Sequence, residues 1–303
     1  MAGRYTLRSL LGHGGMGRVW LAEDLLLNRL VALKELVLDD RASPECLRAA
    51  RMRALAEARA AARVRHDGVV EVHDVVKQDG HPWIVMELLP GRTLAEVIQA
   101  DGPVPVGQVT RLGLRLLGAL QATHRAGIVH GDVKPGNVHL CPDGRVVLAD
   151  FGIARTVDDD ADLPSRVLAG SPAYAAPERL RDDPPEPASD LFSLGATLFT
   201  AVEGRSPFDK GDLFATLTAV ALAAPAPFLR AGRLRPVIEG LLAKEPGERL
   251  TAEQARTALR AAQRRSSSLP RLSGGRARLP LTGTRDGGWP RSRTPRNAVS
   301  LKT

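Results

Sequence analysis

A chain of 303 residues can form one large domain, or two lobes around a shared cleft. Its hydrophobic content of 44% supports a true core, and its aromatic content of 4% makes that core mostly Ala, Leu and Val. The net charge of +8 sits at one end, since residues 264–303 hold ten Lys and Arg against the single Asp286 and leave the first 263 residues at −1.

Tyr5 to Leu11 reads as a strand. Gly12-His13-Gly14-Gly15-Met16-Gly17 then makes a glycine-rich turn into a second strand ending near Ala22. Glycines let backbone N–H groups approach anionic oxygens closely. A strand follows this turn, not a helix, which argues against a dinucleotide-binding fold. Val31 to Lys34 is a third strand. Ser43 and Pro44 open a helix as N-cap and N1, and it runs to about Arg65, carrying Glu57 and a solvated arginine face. Val69–Val76 and Pro82–Glu87 complete a five-stranded sheet. Pro90-Gly91 turns the chain, and helical periods follow over Leu94–Ala100, over Val106–Ala126 and on to about Ala262.

Beyond Gln263 the Ser, Pro, Gly and Arg content predicts disorder. That basic tail is expected to attract an acidic partner or a membrane surface. With Trp289 as its one aromatic, no specific nucleic-acid binding is expected. Cys46 and Cys141 supply neither metal-ligand spacing nor a disulfide framework. Met1 to Tyr5 opens no apolar leader, and Pro225 and Pro227 interrupt the longest apolar stretch. The expected location is the cytoplasm.

Chemistry concentrates in Ile128-Val129-His130-Gly131-Asp132-Val133-Lys134-Pro135-Gly136-Asn137-Val138-His139-Leu140 and in Asp150-Phe151-Gly152. Phosphoryl transfer needs a carboxylate to accept the proton of an attacking hydroxyl. It also needs oxygen ligands for a hard cation on the phosphates. Asp132, Asn137 and Asp150 supply both, and Lys134 can neutralise the transferring group.

An HxDxKxxN run followed by DFG resembles the bacterial Ser/Thr protein kinases of the eukaryotic-like type, over about residues 4–262. The resemblance implies an α+β, two-lobed fold, with a catalytic domain over 1–262 (N-lobe about 1–87, C-lobe about 91–262) and a tail over 263–303. It implies ATP with Mg2+, or Mn2+ in its place, and protein substrates with Ser or Thr acceptors. By the same resemblance Asp132 is the base, Lys134 neutralises charge, and Asn137 and Asp150 hold the metal. Gly12, His13, Gly14, Gly15, Met16 and Gly17 cover the phosphates, and Lys34, fixed by Glu57, binds them. Leu11, Val19, Ala32, Met86, Glu87, Leu89 and His139 surround adenine. Ala176-Pro177-Glu178 ends an activation segment with Arg249 as partner, Asp190 holds the catalytic loop, and Phe151 stacks with His130.

Three positions depart from the common pattern. Gly131 stands where many such kinases carry Arg, which removes a docking group for an activation-segment phosphate at Ser165 or Thr156. His139 replaces an apolar residue, and Ser171 replaces Thr. His-Gly-Asp also opens the motif of small-molecule phosphotransferases resembling aminoglycoside and choline kinases. Lys134-Pro135 and the Ser171–Glu178 segment stand against that alternative. A second alternative, a pseudokinase scaffold, would lack one of Lys34, Glu57, Asp132, Asn137 or Asp150, and all are present.

Overall fold

The computed structural model describes residues 1, 3–14, 17–36, 44–78, 81–150, 171–181, 183–184 and 186–267. Five antiparallel strands come first: β1 (Tyr5–Gly14), β2 (Gly17–Asp24), β3 (Arg29–Leu36), β4 (Val72–Gln78) and β5 (His81–Glu87). Their spatial order is β1-β2-β3-β5-β4. The expected sheet forms, with strand ends shifted by up to three residues. The β1–β2 ladder continues through the glycine-rich run until Gly14 faces Gly17, because glycine accepts extended backbone as readily as a turn. Residues 15 and 16 lie outside the described residues. The fourth strand begins at Val72, not Val69, and Val69 forms an isolated parallel bridge to Leu148 instead.

Period-two alternation sorts the sheet into two faces. Val31, Leu33, Trp83 and Val85 pack outward with Tyr5 and Ala22. Ala32, Ile84 and Met86 face the other way, toward Ala58 and Ala61 of α1 (Pro44–Ala61). Lys34 shares the parity of Ala32, so the alternation that buries Leu33 on one side sends Lys34 to the other.

The second half begins with a short sheet of β6 (Arg92–Thr93), β7 (Val138–Leu140) and β8 (Val146–Leu148), in that spatial order. Its helices are α2 (Leu94–Asp101), α3 (Val106–Arg125), α4 (Pro187–Glu203), α5 (Leu213–Leu222), α6 (Arg235–Leu241) and α7 (Ala252–Ser267). The helix starts at Leu94 and Val106 fall where the sequence places them. A capping box sets the first, with Thr93 Oγ1 accepting from Glu96 N–H and Glu96 accepting from Thr93 N–H. Helix α7 runs five residues past the expected end of the folded part at Ala262, and residues 268–303 lie outside the described residues. Among the described residues no helix is long and apolar enough to cross a membrane.

Helix α4 is buried at every position from Ser189 to Glu203, and the C-lobe core assembles around it. Fully burying a side chain such as Phe192, Leu194, Leu198 or Phe199 contributes about 2 kcal/mol. The polar residues on this helix are satisfied locally. Ser193, Thr197 and Thr200 hydroxyls donate to the carbonyls four residues back, and the Glu203 carboxylate accepts from Leu229, Arg230 and Ala231 N–H. Core packing and a functional carboxylate share this helix, because Asp190 sits in its first turn.

The N-lobe has its own buried charge. Asp24 is fully buried, clasped by Arg4 through two 2.7 Å contacts and by Leu26 and Leu27 N–H. Arg4 and these amides hold the Asp24 carboxyl at about 2, below its usual 3.8. With the folded value depressed, its contribution to stability is complete above pH about 3.8 and fades as pH falls toward about 2. We expect the stability gap between wild type and Asp24→Asn, measured by urea unfolding, to be constant from pH 7 to 5 and to close between pH 4 and 2. Parallel curves through that window would show that Asp24 does not titrate with folding.

Candidate active site

The catalytic-loop residues owe their positions to α4. Asp190, fully buried, accepts hydrogen bonds from His130 N–H and Gly131 N–H, each at 2.8 Å, and its Oδ2 lies 2.7 Å from His124 Nε2. Gly131 adopts φ +74°, a left-handed conformation that costs a residue with a Cβ about 1–2 kcal/mol. Asp132 N–H donates to His130 Nδ1 at 3.2 Å, so Nε2 carries the ring hydrogen and donates to Ala149 O at 3.1 Å. Burial pushes the His130 pKa down, which keeps this bridge neutral. One buried imidazole thus links the loop to the end of β8, where the sequence suggested ring stacking. Phe151, the other half of that stack, lies outside the described residues.

Past this anchor the chain turns through Pro135–Asn137 and enters β7. Asn137 Nδ2 donates to Asp132 O at 2.8 Å and to Asp132 Oδ2 at 2.9 Å. Lys134 Nζ stands 2.8 Å from the same Oδ2. Asn137 O accepts from Ala149 N–H at 2.9 Å, bringing the start of the Asp150 segment beside the loop. Asp132, Lys134 and Asn137 are therefore in contact, and Asp132 and Asn137 are each 6% exposed. Both hydrogens of the Asn137 amide are spent on Asp132, so its Oδ1 is the atom left for a ligand. That oxygen and the Asp150 carboxylate are hard donors that would suit a divalent cation and would let it offset negative charge on a ligand.

Asp150 itself adopts φ +57°. Its Oδ1 takes a hydrogen bond from Lys34 Nζ at 3.0 Å, and Lys34 is only 3% exposed. Burial drives the Asp150 carboxyl up, but the charge and hydrogen bond of Lys34 outweigh it and hold the group below its usual range. Sequence reasoning paired Lys34 with Glu57. Glu57 falls on α1, and its side chain lies outside the described residues.

The remaining candidates come from several elements. Leu11, Gly12, His13 and Gly14 lie on β1, Gly17 and Val19 on β2, and Gly15 and Met16 outside the described residues. Val19 faces Lys34 across β2–β3, and Ala32 faces Met86 across β3–β5. Val19, Ala32, Met86 and Leu89 belong to one cluster between the lobes, closed below by Val147 and Ala149. Glu87 ends β5, and its N–H is taken by Glu71 O. Gly91 follows at φ +106°, and a Cβ there would come within 2.3 Å of Leu140 O, so only glycine lets this connection pass β7 so closely. His139 sits on β7 opposite Thr93 and Val147. Its pKa is pushed down by burial, below the ordinary value of 6.5 expected from sequence.

Farther out, the activation segment's end is locked as expected. Glu178 and Arg249 form a bidentate pair at 2.7 and 2.9 Å, with Ser189 Oγ donating to Glu178 at 2.8 Å. Three groups went unnoticed in the sequence. His124 shares the Asp190 carboxylate. Arg145, in the β7–β8 turn and oriented by Asp143, donates twice to Glu87 Oε2 at 3.1 Å, at the end of β5. Thr197 Oγ1 reaches Val133 O at 3.4 Å. A histidine six residues before His130 was the one available signal for the first, and no local pattern marks the other two.

A family model of the protein kinase domain matches residues 5–258. The chain belongs to the protein kinase domain family. Among curated relatives it is 38% identical over 238 residues to the serine/threonine-protein kinase PknL of Mycobacterium tuberculosis, covering 78% of this chain and 57% of that one. It is 37% identical over 257 residues to the serine/threonine-protein kinase PknA of the same organism, covering 82% and 58%. It is 38% identical over 221 residues to a probable serine/threonine-protein kinase of Corynebacterium efficiens, covering 71% and 33%. The chain spans little more than half the length of the first two relatives. The family membership accords with the two-lobed α+β architecture seen here.

The Lys34–Asp150 pair predicts how far site and fold can be separated. Lys34→Met keeps the buried stem and removes the charge. Asp150 keeps 32% of its side chain exposed, so the cost should fall below the roughly 3–5 kcal/mol of a fully buried broken pair, at about 1–2 kcal/mol. Urea unfolding of Lys34→Met should remain cooperative with an unchanged m value. Loss of the cooperative transition would make this pair a folding element.

Proposed function

We propose that the chain is an ATP-dependent Ser/Thr protein kinase whose catalytic base is Asp132. The carrying observation is the contact set around Asp132, where one carboxylate oxygen meets both the Lys134 ammonium and the Asn137 amide. Those two donors leave the other carboxylate oxygen for a substrate hydroxyl. In the reaction the hydroxyl oxygen bonds to the γ-phosphorus, the bond to the β–γ bridging oxygen breaks, ADP leaves, and the proton passes to Asp132. Lys134 offsets charge on the transferring group. Lys34, with three donors, serves Asp150 and the α- and β-phosphates together, and Glu57 on α1 is its further partner. Glycines 12 to 17 cover the phosphates, while Leu11, Val19, Ala32, Met86, Leu89 and the backbone of Glu87 enclose adenine. Asn137 and Asp150 hold the divalent cation, Mg2+ by preference and Mn2+ in its place, which supplies charge neutralisation on the phosphates.

Protein hydroxyls are the favoured acceptors. The Glu178–Arg249 anchor fixes the end of the segment on which a polypeptide would dock, and the relatives named above are Ser/Thr protein kinases. These points count against a small-molecule phosphotransferase. The presence of all five catalytic-type residues counts against a pseudokinase scaffold. The basic stretch 264–303 offers Ser266, Ser267, Ser268 and Thr294 as autophosphorylation sites.

Phosphorylation of a generic basic protein, followed by phosphoamino-acid analysis, tests the reading. Wild type should label Ser and Thr. Asp132→Asn should lose about 10²–10⁴-fold in kcat with an ATP dissociation constant close to wild type, since the base acts on the hydroxyl and not on the nucleotide. Near-normal turnover by Asp132→Asn would remove it as the base. Label on a small amino alcohol in place of protein would move the chain to the alternative class.

A further inference from the structure

The alternation along β7 and β8 separates two surfaces. Val138 and Leu140 lie in the C-lobe core, as do Leu148 and Val146, the residues opposite them on β8. His139 stands between them in sequence and opposite Val147, which packs instead with Ala32, Met86 and Ala149 in the cluster between the lobes. Cross-strand partners share a face of the sheet, so the imidazole lies on the floor of the cleft. On its other side the opposite residue is Thr93, whose hydroxyl is occupied, donating to Glu96 Oε2 at 3.0 Å and accepting from Glu96 N–H at 3.2 Å.

His139 Nδ1 is buried and finds no hydrogen-bond partner among the described residues. An orphaned buried polar atom costs about 1–3 kcal/mol, a penalty that a bound ligand can relieve. An apolar residue at this position would carry no such penalty. The polar atoms of a purine lie in the plane of its rings and point to its edges, so a floor residue beneath the ring face meets none of them. Sugar hydroxyls rotate and both donate and accept, which suits either tautomer of the imidazole. The layout of the cleft agrees. His139 stands two residues from Asn137 and in register with Thr93, the residue before α2.

We propose that His139 is a specificity-determining residue that reads a ribose hydroxyl of the nucleotide, a role that rests on the cleft being the ATP site proposed above. Discrimination between ATP and its deoxy analogues is then partly a property of this one side chain.

The test is calorimetric binding of ATP, 2′-deoxy-ATP and 3′-deoxy-ATP to the full chain with Mg2+, in wild type, His139→Leu and His139→Asn. Wild type should bind one deoxy analogue about fivefold or more weakly than ATP, the range expected for one hydrogen bond. His139→Leu should bind ATP and that analogue within about twofold of each other, and His139→Asn, which keeps a hydrogen-bonding group, should restore part of the difference. Leu also removes the orphaned atom, so the ligand-free Tm of His139→Leu should equal or exceed that of wild type, a readout that guards against a misfolded variant. A wild-type ratio retained in His139→Leu overturns the role, as does a wild type that binds all three nucleotides equally. Wild type binding none of the three overturns the ATP-site reading itself, and the role of His139 with it.

Discussion

The carboxylate of Asp190 is the interaction on which the site depends. A fully buried carboxylate is expensive unless its lone pairs are satisfied. Here His130 N–H, Gly131 N–H and His124 Nε2 satisfy them, each within 2.8 Å. The demand for donors runs both ways. Two successive backbone N–H groups can point at one carboxylate only if the chain between them turns sharply, and Gly131 at φ +74° makes that turn. Asp132 follows immediately, so its direction is set by the same turn. The catalytic geometry is therefore anchored in the first turn of a core helix, which couples the most rigid part of the molecule to the residue that must be placed most accurately.

From that anchor a second chain of contacts crosses between the lobes. His130 reaches Ala149 O, Ala149 N–H reaches Asn137 O, and Asp150 reaches Lys34 on β3. Each link is a hydrogen bond with a specific geometry, where the surrounding cluster is apolar and non-directional. On the outer side of the same joint, Arg145 ties the β7–β8 turn to Glu87 at the end of β5. Orientation of one lobe on the other is set by these polar links, front and back, and adhesion by the apolar cluster.

How much of this was legible in the sequence follows the range of the interactions. Asp132, Lys134 and Asn137 lie within six residues, and their membership of one site was readable from residue types and spacing. The sheet and the helix starts at Leu94 and Val106 were readable from periodicity. The Glu178–Arg249 pair, 71 residues apart, was readable only through the family resemblance, since no local rule brings those positions together. Lys34–Asp150 and Arg145–Glu87 were not read at all. An ion pair across a joint depends on how the two lobes meet, which composition and spacing do not encode. The strand ends were misplaced for a different reason. Glycines 12, 14 and 17 signal a turn by propensity, yet the ladder continues through Gly12 and Gly14 because its hydrogen bonds belong to the backbone. The run from Gln263 to Ser267 reads as polar linker, and α7 extends across it because a helix already formed adds residues at little cost.

The composition of the inter-lobe cluster decides how stiff the joint can be. The C-lobe core buries Phe192, Phe199, Phe208 and many leucines, each contributing about 2 kcal/mol on burial. The cluster between the lobes is built from Ala32, Ala58, Ala61, Ala119 and Ala149 with a few Val, Ile, Met and Cys141. An alanine buries one methyl group, about 0.8 kcal/mol against about 2 for a Leu or Phe, so the five alanines weaken the adhesion of this layer. Small side chains also interlock little, which leaves the two halves free to slide by small amounts without breaking close packing. The halves can then be rigid individually and adjustable relative to each other. On the kinase reading proposed above, a cleft that admits one nucleotide and releases another uses that combination.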